Sequence, residues 1–297
     1  MAETSRRRHA LGQHFLVDRA VAERTVALAG LSPGTTVLEI GPGRGALTEV
    51  LLAAGLRVVA VELDEELARR LSARDLPGLV VLRGNALRID ELPLPDGPLP
   101  VVANLPYSTG TAILTRLLRR PEKFPRLVLM LQKEVARRIC AAADSRSYGS
   151  LSVLVALHAE ARLAFDVPPR SFAPPPKVDS AVVRLDVEAA PRVEVPDEDL
   201  FRRVVRGAFS QRRKTLRNAL RGAFGAEAAQ TLLERAGIDP GRRAQELDLR
   251  EFAALAAAAR GLLSPGQGPG EDDEADEDRN EDRSEDRNED RDPPGAE

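Results

Sequence analysis

Several features that would place a protein in a membrane or outside the cell are missing from this 297-residue sequence. A single cysteine, Cys140, excludes a framework of internal disulfides. No apolar run approaches the roughly 18 residues that a membrane-spanning helix needs. The basic stretch 6–8 is not followed by an apolar segment, so we expect no secretory signal. These absences predict a cytoplasmic protein that does not contact a membrane.

The sequence also lacks a strong net charge, but only because the charges of an acidic region and a basic region cancel. The formal net charge is −3. Residues 271–297 contain fifteen Asp or Glu and four Arg, a net of −11, out of 46 acidic and 43 basic residues in the chain. The remaining 31 acidic and 39 basic residues give residues 1–270 a net charge of +8. The main part of the protein is therefore basic.

Alternating apolar strands and amphipathic helices fill the first two thirds of the sequence, a pattern typical of an α/β protein with a mostly parallel sheet covered on both faces. Seven strands are predicted, at Thr36–Ile40, Arg57–Glu62, Leu79–Arg83, Pro100–Asn104, Arg126–Gln132, Arg162–Val167 and Ser180–Val187. Helices are predicted near Leu47–Ala54, Glu65–Ala73, Thr111–Arg119 and Lys133–Ala142. We expect the last two strands, which a proline-rich segment separates, to form an antiparallel pair at the sheet edge.

The composition divides the chain into four segments. Residues 1–188 are predicted to form the sheet domain with an N-terminal arm, and residues 189–197 a proline-interrupted linker. Residues 198–263 show only helical periodicity with glycine stops, which predicts a small helical domain. Residues 264–297 contain repeated Arg-Asn-Glu-Asp units without large apolar side chains, and we expect this tail to be disordered. It could mimic a polyanion, compete for the basic face or keep the protein soluble, and we favour solubility.

A glycine-rich loop, Glu39–Gly45, lies between the first predicted strand and a helix. Glycine lets the backbone turn sharply and approach a ligand closely, and a helix start presents free N–H groups. Glu62 ends the next strand, where a carboxylate can accept hydrogen bonds from both hydroxyls of a ribose. A dinucleotide site for hydride transfer would also use such a carboxylate. The spacing G-x-G-x-G, with a glutamate two residues before it, looks instead like an S-adenosylmethionine (AdoMet) loop.

The tetrapeptide Asn104-Leu105-Pro106-Tyr107 closes the fourth predicted strand. Asparagine is neither an acid nor a base near neutral pH, but its amide carries an acceptor and donors. Proline stiffens the turn and tyrosine supplies a ring face, a combination that suits a flat exocyclic amine. The tetrapeptide looks like the target-base motif of amino-methyltransferases, which methylate the NH2 group of adenine, cytosine or glutamine. The alternative is an Asn-Pro turn with a surface tyrosine.

Together these motifs resemble one family, the bacterial small-subunit ribosomal RNA adenine dimethyltransferases. The matching blocks are Leu11-Gly-Gln-His-Phe-Leu-Val-Asp18, Leu38-Glu-Ile-Gly-Pro-Gly-Arg-Gly-Ala-Leu-Thr48, Val61-Glu-Leu-Asp64, Asn104-Leu-Pro-Tyr107, Met130-Leu-Gln-Lys-Glu-Val135, Tyr148-Gly-Ser-Leu-Ser-Val153, Phe172-Ala-Pro-Pro-Pro-Lys-Val-Asp-Ser-Ala-Val-Val183 and Phe209-Ser-Gln-Arg-Arg-Lys-Thr-Leu-Arg-Asn218. The resemblance covers about residues 6–262 and leaves out the acidic tail. It implies a Rossmann-like AdoMet-dependent methyltransferase sheet, with dimethylation of two adjacent adenosines near the 3′ end of small-subunit rRNA and a role in small-subunit biogenesis.

The resemblance also implies which residues form the site. AdoMet contacts are expected from His14, Leu16, Gly41, Gly43, Glu62, Asn85 and Asn104. The target base is expected at Asn104, Leu105, Pro106 and Tyr107, with Phe172 as a second aromatic wall. Three positions depart from the family, which generally has Asn at His14, commonly Asp at Asn85, and Asn-Ile-Ser-Thr where this chain has Ser108-Thr-Gly-Thr111. No metal is needed, because the sulfonium methyl group of AdoMet is already activated.

An arginine-rich helical stripe in the C-terminal part is expected to contact RNA phosphates, with an apolar seam facing the other way. Its candidate RNA-binding residues are Arg206, Arg212, Arg213, Lys214, Arg217 and Arg221. The expected partner is small-subunit rRNA or an immature small subunit, and the expected state is a monomer. A solvated helix face is the alternative for this run of charge.

Two other functions are considered. An antibiotic-resistance methyltransferase of the same fold would act on large-subunit rRNA, but the block that begins at Phe209 disfavours it. A ribosome-assembly factor would bind immature subunits, with catalysis secondary. The intact glycine loop, Glu62 and Asn104–Tyr107 favour an enzyme.

Overall fold

The computed structural model describes residues 14–262. The predicted tail at residues 264–297, and the start of the family block at Leu11, lie outside the described residues.

The described chain contains nine strands and ten α-helices. The strands are β1 Phe15–Leu16, β2 Thr36–Ile40, β3 Arg57–Glu62, β4 Leu79–Arg83, β5 Val101–Asn104, β6 Arg126–Gln132, β7 Ala159–Val167, β8 Phe172–Ala173 and β9 Ser180–Val187. The helices are α1 Arg19–Ala29, α2 Ala46–Ala53, α3 Glu65–Ser72, α4 Gly110–Leu117, α5 Lys133–Ile139, α6 Ser150–Ala156, α7 Glu198–Phe209, α8 Leu216–Phe224, α9 Ala226–Ala236 and α10 Leu249–Ala259.

Seven strands form one sheet in the order β4-β3-β2-β5-β6-β9-β7. Strands β2 to β6 are parallel, whereas β9 is antiparallel to both β6 and β7. The predicted fold class and the antiparallel pair at the sheet edge are confirmed. The chain runs outward from β2 to β4 and then returns to β5 on the other side of β2. The β2–β5 boundary is therefore the topological switch point, where open α/β sheets bind their ligands.

The sheet is a buried central layer because its strands are apolar on both sides, as in parallel sheets covered by helices. Leu38 and Val101 belong to the core on one face, which α4, α5 and α6 cover. Val37 and Val102 belong to the core on the other face, which α1 and α2 cover. Successive strand residues point to opposite faces, so neighbouring residues of one strand serve both cores.

The helices after residue 197 enclose a core of their own, centred on Phe201, Leu220 and Phe252. Helix α6 and the segment before it join this core to the sheet, because Tyr148 and Leu154 pack into it. The Tyr148 hydroxyl also donates to the Leu247 carbonyl oxygen at 2.9 Å. The helical part is therefore packed against the sheet part.

Helix α1, the β1–β8 ribbon and helix α6 were not expected from the sequence. Strand β1 pairs with β8 as a separate two-stranded ribbon, with Phe15 opposite Ala173 and Leu16 opposite Phe172. Helix α6 precedes β7, which starts three residues before the predicted strand. The ribbon carries the first described residues to the carboxyl ends of β2 and β5.

Among residues 14–262, none of the helices combines the length and apolar character required to cross a bilayer.

Candidate active site

A cleft lies at the switch point, between the loop that follows β2 and the turn that follows β5. It encloses about 690 Å³ of empty space, including its open mouth, within the range of small-molecule sites. The lining residues are His14, Phe15, Leu16, Glu39, Gly41, Pro42, Gly43, Arg44, Ala46, Leu47, Glu62, Leu67, Asn104, Leu105, Pro106 and Tyr107. The structure thus brings together, from four separate parts of the chain, most of the residues that the sequence predicted.

The glycine loop forms the floor of the cleft. Gly41, Gly43 and Gly45 all have positive φ angles, at 66°, 55° and 88°. A Cβ atom on Gly43 would lie 2.9 Å from Cδ1 of Phe15, so only glycine allows the β1 arm to pack on the loop. The glycine N–H groups are not free, because they donate to the Val61 carbonyl, the Glu62 carboxylate and the Pro42 carbonyl. At these positions the loop therefore offers a ligand no free N–H donors.

Glu62 ends β3 with only 5% of its surface exposed. Its two carboxylate oxygens accept from the Gly43 N–H at 3.0 Å and the Asp64 N–H at 2.9 Å. Burial raises the pKa of Glu62, while these two backbone bonds oppose the rise. Each oxygen keeps a second lone pair, so the carboxylate can still accept a hydroxyl from a bound ribose.

Glu39 lies beside Glu62 at the end of β2 and is 1% exposed. The Thr48 hydroxyl donates to its Oε2 atom at 2.6 Å. Burial is the main cause that raises the pKa of Glu39 to about 8, and the charge of Glu62 adds to it. Glu39 is therefore a neutral acid near pH 7. The sequence identifies its place before the glycines but not its buried, protonated state.

The Asn104 side chain is oriented by the first described residue. Its Nδ2 atom donates to the His14 carbonyl oxygen at 3.4 Å. Its Oδ1 atom is buried and has no hydrogen-bond partner among residues 14–262. Buried polar atoms are normally paired, so an unpaired acceptor on the wall of a cleft marks a position where a ligand donates. His14 is itself held, because its Nδ1 atom lies 2.9 Å from the Pro174 carbonyl oxygen and must carry the hydrogen there.

Tyr107 stands half-buried at the same wall. Its ring centroid lies 5.4 Å from that of His14, with the two rings tilted by 36°. Its hydroxyl lies 2.5 Å from Oγ of Ser180, the first residue of β9. Burial raises the pKa of the Tyr107 hydroxyl, so it remains neutral at physiological pH. Ser180 lies within a matching block of the sequence, but no local pattern indicated this contact.

Two predicted site residues do not line the cleft. Phe172 is 3% exposed and packs in the core with Leu16, so its role as the second aromatic wall stays a prediction. Asn85 caps the short 3-10 turn that follows β4, and its Oδ1 atom accepts from the Leu87 N–H at 3.0 Å. A contact between Asn85 and an adenine amine stays a prediction too.

The predicted arginine stripe is wrong as a single helical face. Helices α7 and α8 are separate, and residues 210–215 form the connection between them. Arg206 is 5% exposed in α7, because its helix face packs inward, and it is unavailable to RNA. Arg212 is half-buried and donates to the Arg146 carbonyl oxygen. The exposed members of the set are Arg213, Lys214, Arg217 and Arg221.

The model of the ribosomal RNA adenine dimethylase family matches residues 4–259. The "Ribosomal RNA small subunit methyltransferase A" of Syntrophotalea carbinolica is 49% identical over 247 residues, which cover 82% of this chain and 94% of that protein. The protein of the same name from Geobacter sulfurreducens is 47% identical over 270 residues, or 88% of this chain and 97% of that protein.

Solved structures match as well. A dimethyladenosine transferase from Plasmodium falciparum has a TM-score of 0.68 at 25% identity, covering 83% of this chain and 98% of that one. The 23S rRNA methyltransferase ErmE has a TM-score of 0.60 at 27% identity, with 82% and 98% covered. The match of the family model over most of the chain, with relatives near half identity, shows that this chain belongs to the ribosomal RNA adenine dimethylase family.

Proposed function

We propose that the protein transfers methyl groups from AdoMet to the N6 amine of two adjacent adenosines near the 3′ end of small-subunit rRNA, and thereby takes part in small-subunit biogenesis. Family membership supports the reaction class, and the small-subunit relatives at 49% and 47% identity support the substrate. Because the proposed substrate is an assembling small subunit, we expect the reaction to take place in the cytoplasm. We propose that the enzyme acts as a monomer.

One observation carries the proposal, namely the unpaired Oδ1 atom of Asn104. The bond from Nδ2 to the His14 carbonyl fixes which end of the amide faces the cleft. The reverse orientation would place Oδ1 against another carbonyl oxygen, which is unfavourable. The cleft therefore offers a fixed acceptor to an amine, beside an aromatic ring that can stack on a flat base.

The residues of the cleft fit AdoMet. Gly41 and Gly43 line the cleft with backbone alone, and Glu62 retains acceptor lone pairs for ribose hydroxyls. Leu16, Gly41 and His14 border the same space. When bound, AdoMet supplies an electrophilic methyl group on its sulfonium.

The side chains then have to position the amine, since its lone pair is delocalised into the adenine ring. Asn104 Oδ1 and the Leu105 carbonyl oxygen would accept from the two N6–H groups and hold the nitrogen in line with the methyl group. Leu105 is 1% exposed, and its N–H donates to the Met130 carbonyl at 3.0 Å, which anchors the turn to β6. Tyr107 would stack on the base after it leaves its helix, offsetting roughly 1–3 kcal/mol of the unstacking cost.

The test is Asn104→Ala. We expect this variant to lose methyl transfer while its AdoMet affinity stays close to that of the wild type, because Oδ1 has no bond within the described protein to lose. Its thermal stability should fall only slightly, since the side chain gives up one long bond of 3.4 Å, from Nδ2 to the His14 carbonyl oxygen. Radiolabelled methyl transfer to immature small subunits measures the first quantity, and calorimetric titration of AdoMet measures the second. Methylation by Asn104→Ala at near the wild-type rate would contradict the assigned role.

A large-subunit substrate is the second candidate, because the matching structure ErmE is named a 23S rRNA methyltransferase. Mass spectrometry of rRNA from a strain that lacks the gene separates the two. Loss of dimethyladenosine from small-subunit rRNA supports our proposal, whereas loss from large-subunit rRNA alone supports the alternative. If the protein were an assembly factor with secondary catalysis, a strain lacking the gene would show a defect in subunit maturation. Expression of the Asn104→Ala variant would then correct that defect.

A further inference from the structure

The hydroxyl groups of Tyr107 and Ser180 form an isolated pair. They lie 2.5 Å apart, and neither has another hydrogen-bond partner among residues 14–262. Ser180 has no exposed surface and starts β9, where its backbone is paired with Gln132 on one side and Val167 on the other. A strand held on both sides is among the most rigid supports that a fold offers to a site.

A serine at this position requires an explanation. The three residues that follow it in β9, Ala181 to Val183, are apolar and completely buried. A hydroxyl placed in such surroundings is costly unless it is hydrogen-bonded, and Tyr107 is its partner. The local environment would otherwise favour an alanine.

The position of the Tyr107 ring is fixed at two places. The His14 ring lies to one side at 5.4 Å, and the hydroxyl at the far end is bound to β9. A tyrosine side chain has two main torsions, so a contact at the ring and another at its tip determine the direction in which the ring faces. A stacking surface has to be held within about 10–20° of the productive geometry.

We propose that Ser180 is a positioning residue that holds the Tyr107 ring in the orientation needed to stack on the target base. The inference rests on the proposed function, because it concerns the base that Tyr107 receives. Ser180 touches neither the base nor the cofactor in this role and acts only through Tyr107.

A double-mutant cycle in the full-length enzyme tests the proposal. Ser180→Ala and Tyr107→Phe remove the two ends of the same bond, so each should lower kcat about fivefold, the equivalent of one neutral hydrogen bond. The double variant should be no slower than either single one, and AdoMet affinity should be unchanged in all three. Additive losses, or a Ser180→Ala enzyme with the wild-type kcat, would overturn the proposal.

A second measurement does not depend on activity. Amide deuterium exchange in residues 105–111 should increase in Ser180→Ala and equally in Tyr107→Phe, because the turn loses its connection to β9. Ser152→Ala is the matched control, since Ser152 is 2% exposed and its hydroxyl donates to the Arg138 carbonyl oxygen at 2.6 Å, in α6 and away from the cleft. It should lower the melting temperature without changing exchange at residues 105–111.

The two readouts separate this inference from the proposed function. An active Asn104→Ala enzyme would refute the proposed chemistry, but deuterium exchange would still test whether the Ser180 hydroxyl holds Tyr107. Unchanged exchange in both Ser180→Ala and Tyr107→Phe would refute the positioning role of Ser180, even if Asn104→Ala were inactive.

Discussion

At the scale of single residues, the cleft holds two neighbouring carboxyl groups that differ in their hydrogen bonds and burial. Glu62 receives two backbone N–H bonds, whereas Glu39 receives one hydroxyl and is almost completely buried. Burial raises the pKa of Glu39 to about 8 from its ordinary 4.5. Between pH 4.5 and about pH 8, the folded protein retains a proton on Glu39 that the unfolded chain releases. The contribution of Glu39 to stability therefore falls as the pH rises from 4.5 to 8, and then stays constant.

Replacing Glu39 with Gln should remove this dependence, because Gln has nearly the same shape, accepts from Thr48 and never ionises. We expect Glu39→Gln to melt at the same temperature as the wild type near pH 5 and roughly 10 °C higher at pH 9. Calorimetry without AdoMet measures both. Glu49→Gln is the control, because Glu49 is exposed and paired with Arg74 at 2.7 Å, so it should show no such gain. Equal melting of Glu39→Gln and the wild type at pH 9 would contradict a protonated Glu39.

At the scale of elements, the β1–β8 ribbon connects the N-terminal segment to both halves of the site. Phe15 in β1 packs on Gly43, and the Arg44 guanidinium lies 4.6 Å from the centre of the Phe15 ring. The adjoining His14 contacts Pro174 beyond β8 and Asn104 at the end of β5. The ribbon is therefore part of the site, although it contains only four residues.

A methyl group at Gly43 should detach the ribbon. We expect Gly43→Ala to lower AdoMet affinity at least tenfold, because the new Cβ overlaps Phe15 and the Glu62 contact shifts with the loop. Gly34→Ala separates this effect from backbone strain, since Gly34 has a φ of 83° with nothing within 4 Å of the new atom. It should lose about 1 kcal/mol of stability and keep its AdoMet affinity. Similar AdoMet affinities for the two variants would show that the Phe15 contact is irrelevant.

The sequence specifies the regular elements better than the contacts between them. The limits of Arg57–Glu62 are readable because a run of Val and Ala ends in charge, as expected of a buried parallel strand. The ribbon is not readable, because two residues carry no periodicity and its pairing joins positions more than 150 residues apart. The burial of Arg206 was missed for a related reason. Periodicity identifies a helix face, but packing decides whether that face meets solvent or the rest of the protein.

The glycine loop, Glu62 and the Asn104 tetrapeptide are recognisable because local spacing defines them. The contacts that orient them come from His14 and Ser180, which are distant in the chain and have no spacing signature. Sequence motifs therefore identify the chemistry of the site, whereas the orientation of the Asn104 amide and of the Tyr107 ring depends on tertiary structure.

At the scale of the whole molecule, the charge of residues 1–270 is +8, yet only part of the predicted basic set faces solvent. Arg213, Lys214, Arg217 and Arg221 are exposed and form no ion pair within residues 14–262. We propose that these four contact RNA phosphates, next to the connection between α7 and α8. Arg206 supports the helical core instead.

Neutralising two of the exposed arginines should weaken RNA binding without affecting the fold. We expect Arg217→Gln with Arg221→Gln to reduce the slope of log affinity against log salt by about 2, with an unchanged melting temperature. Arg206→Gln should do the opposite, lowering the melting temperature and leaving the salt slope unchanged. Filter binding over a salt series and calorimetry give the two quantities. A salt slope that is unaffected by the double change would exclude this face.

The fixed orientation of the Asn104 amide has a consequence for fidelity. If the donor end is held by the His14 carbonyl and only the acceptor end faces the cleft, a base with an oxygen in place of the amine would bring lone pairs against lone pairs. Guanine and hypoxanthine, the base of inosine, both carry a 6-oxo group. They would be rejected by repulsion and by leaving Asn104 Oδ1 unsatisfied, and not merely because they lack an amine to methylate at this position. One backbone contact, from the His14 carbonyl, would thus let the enzyme distinguish adenine from 6-oxo purines before the methyl group is transferred.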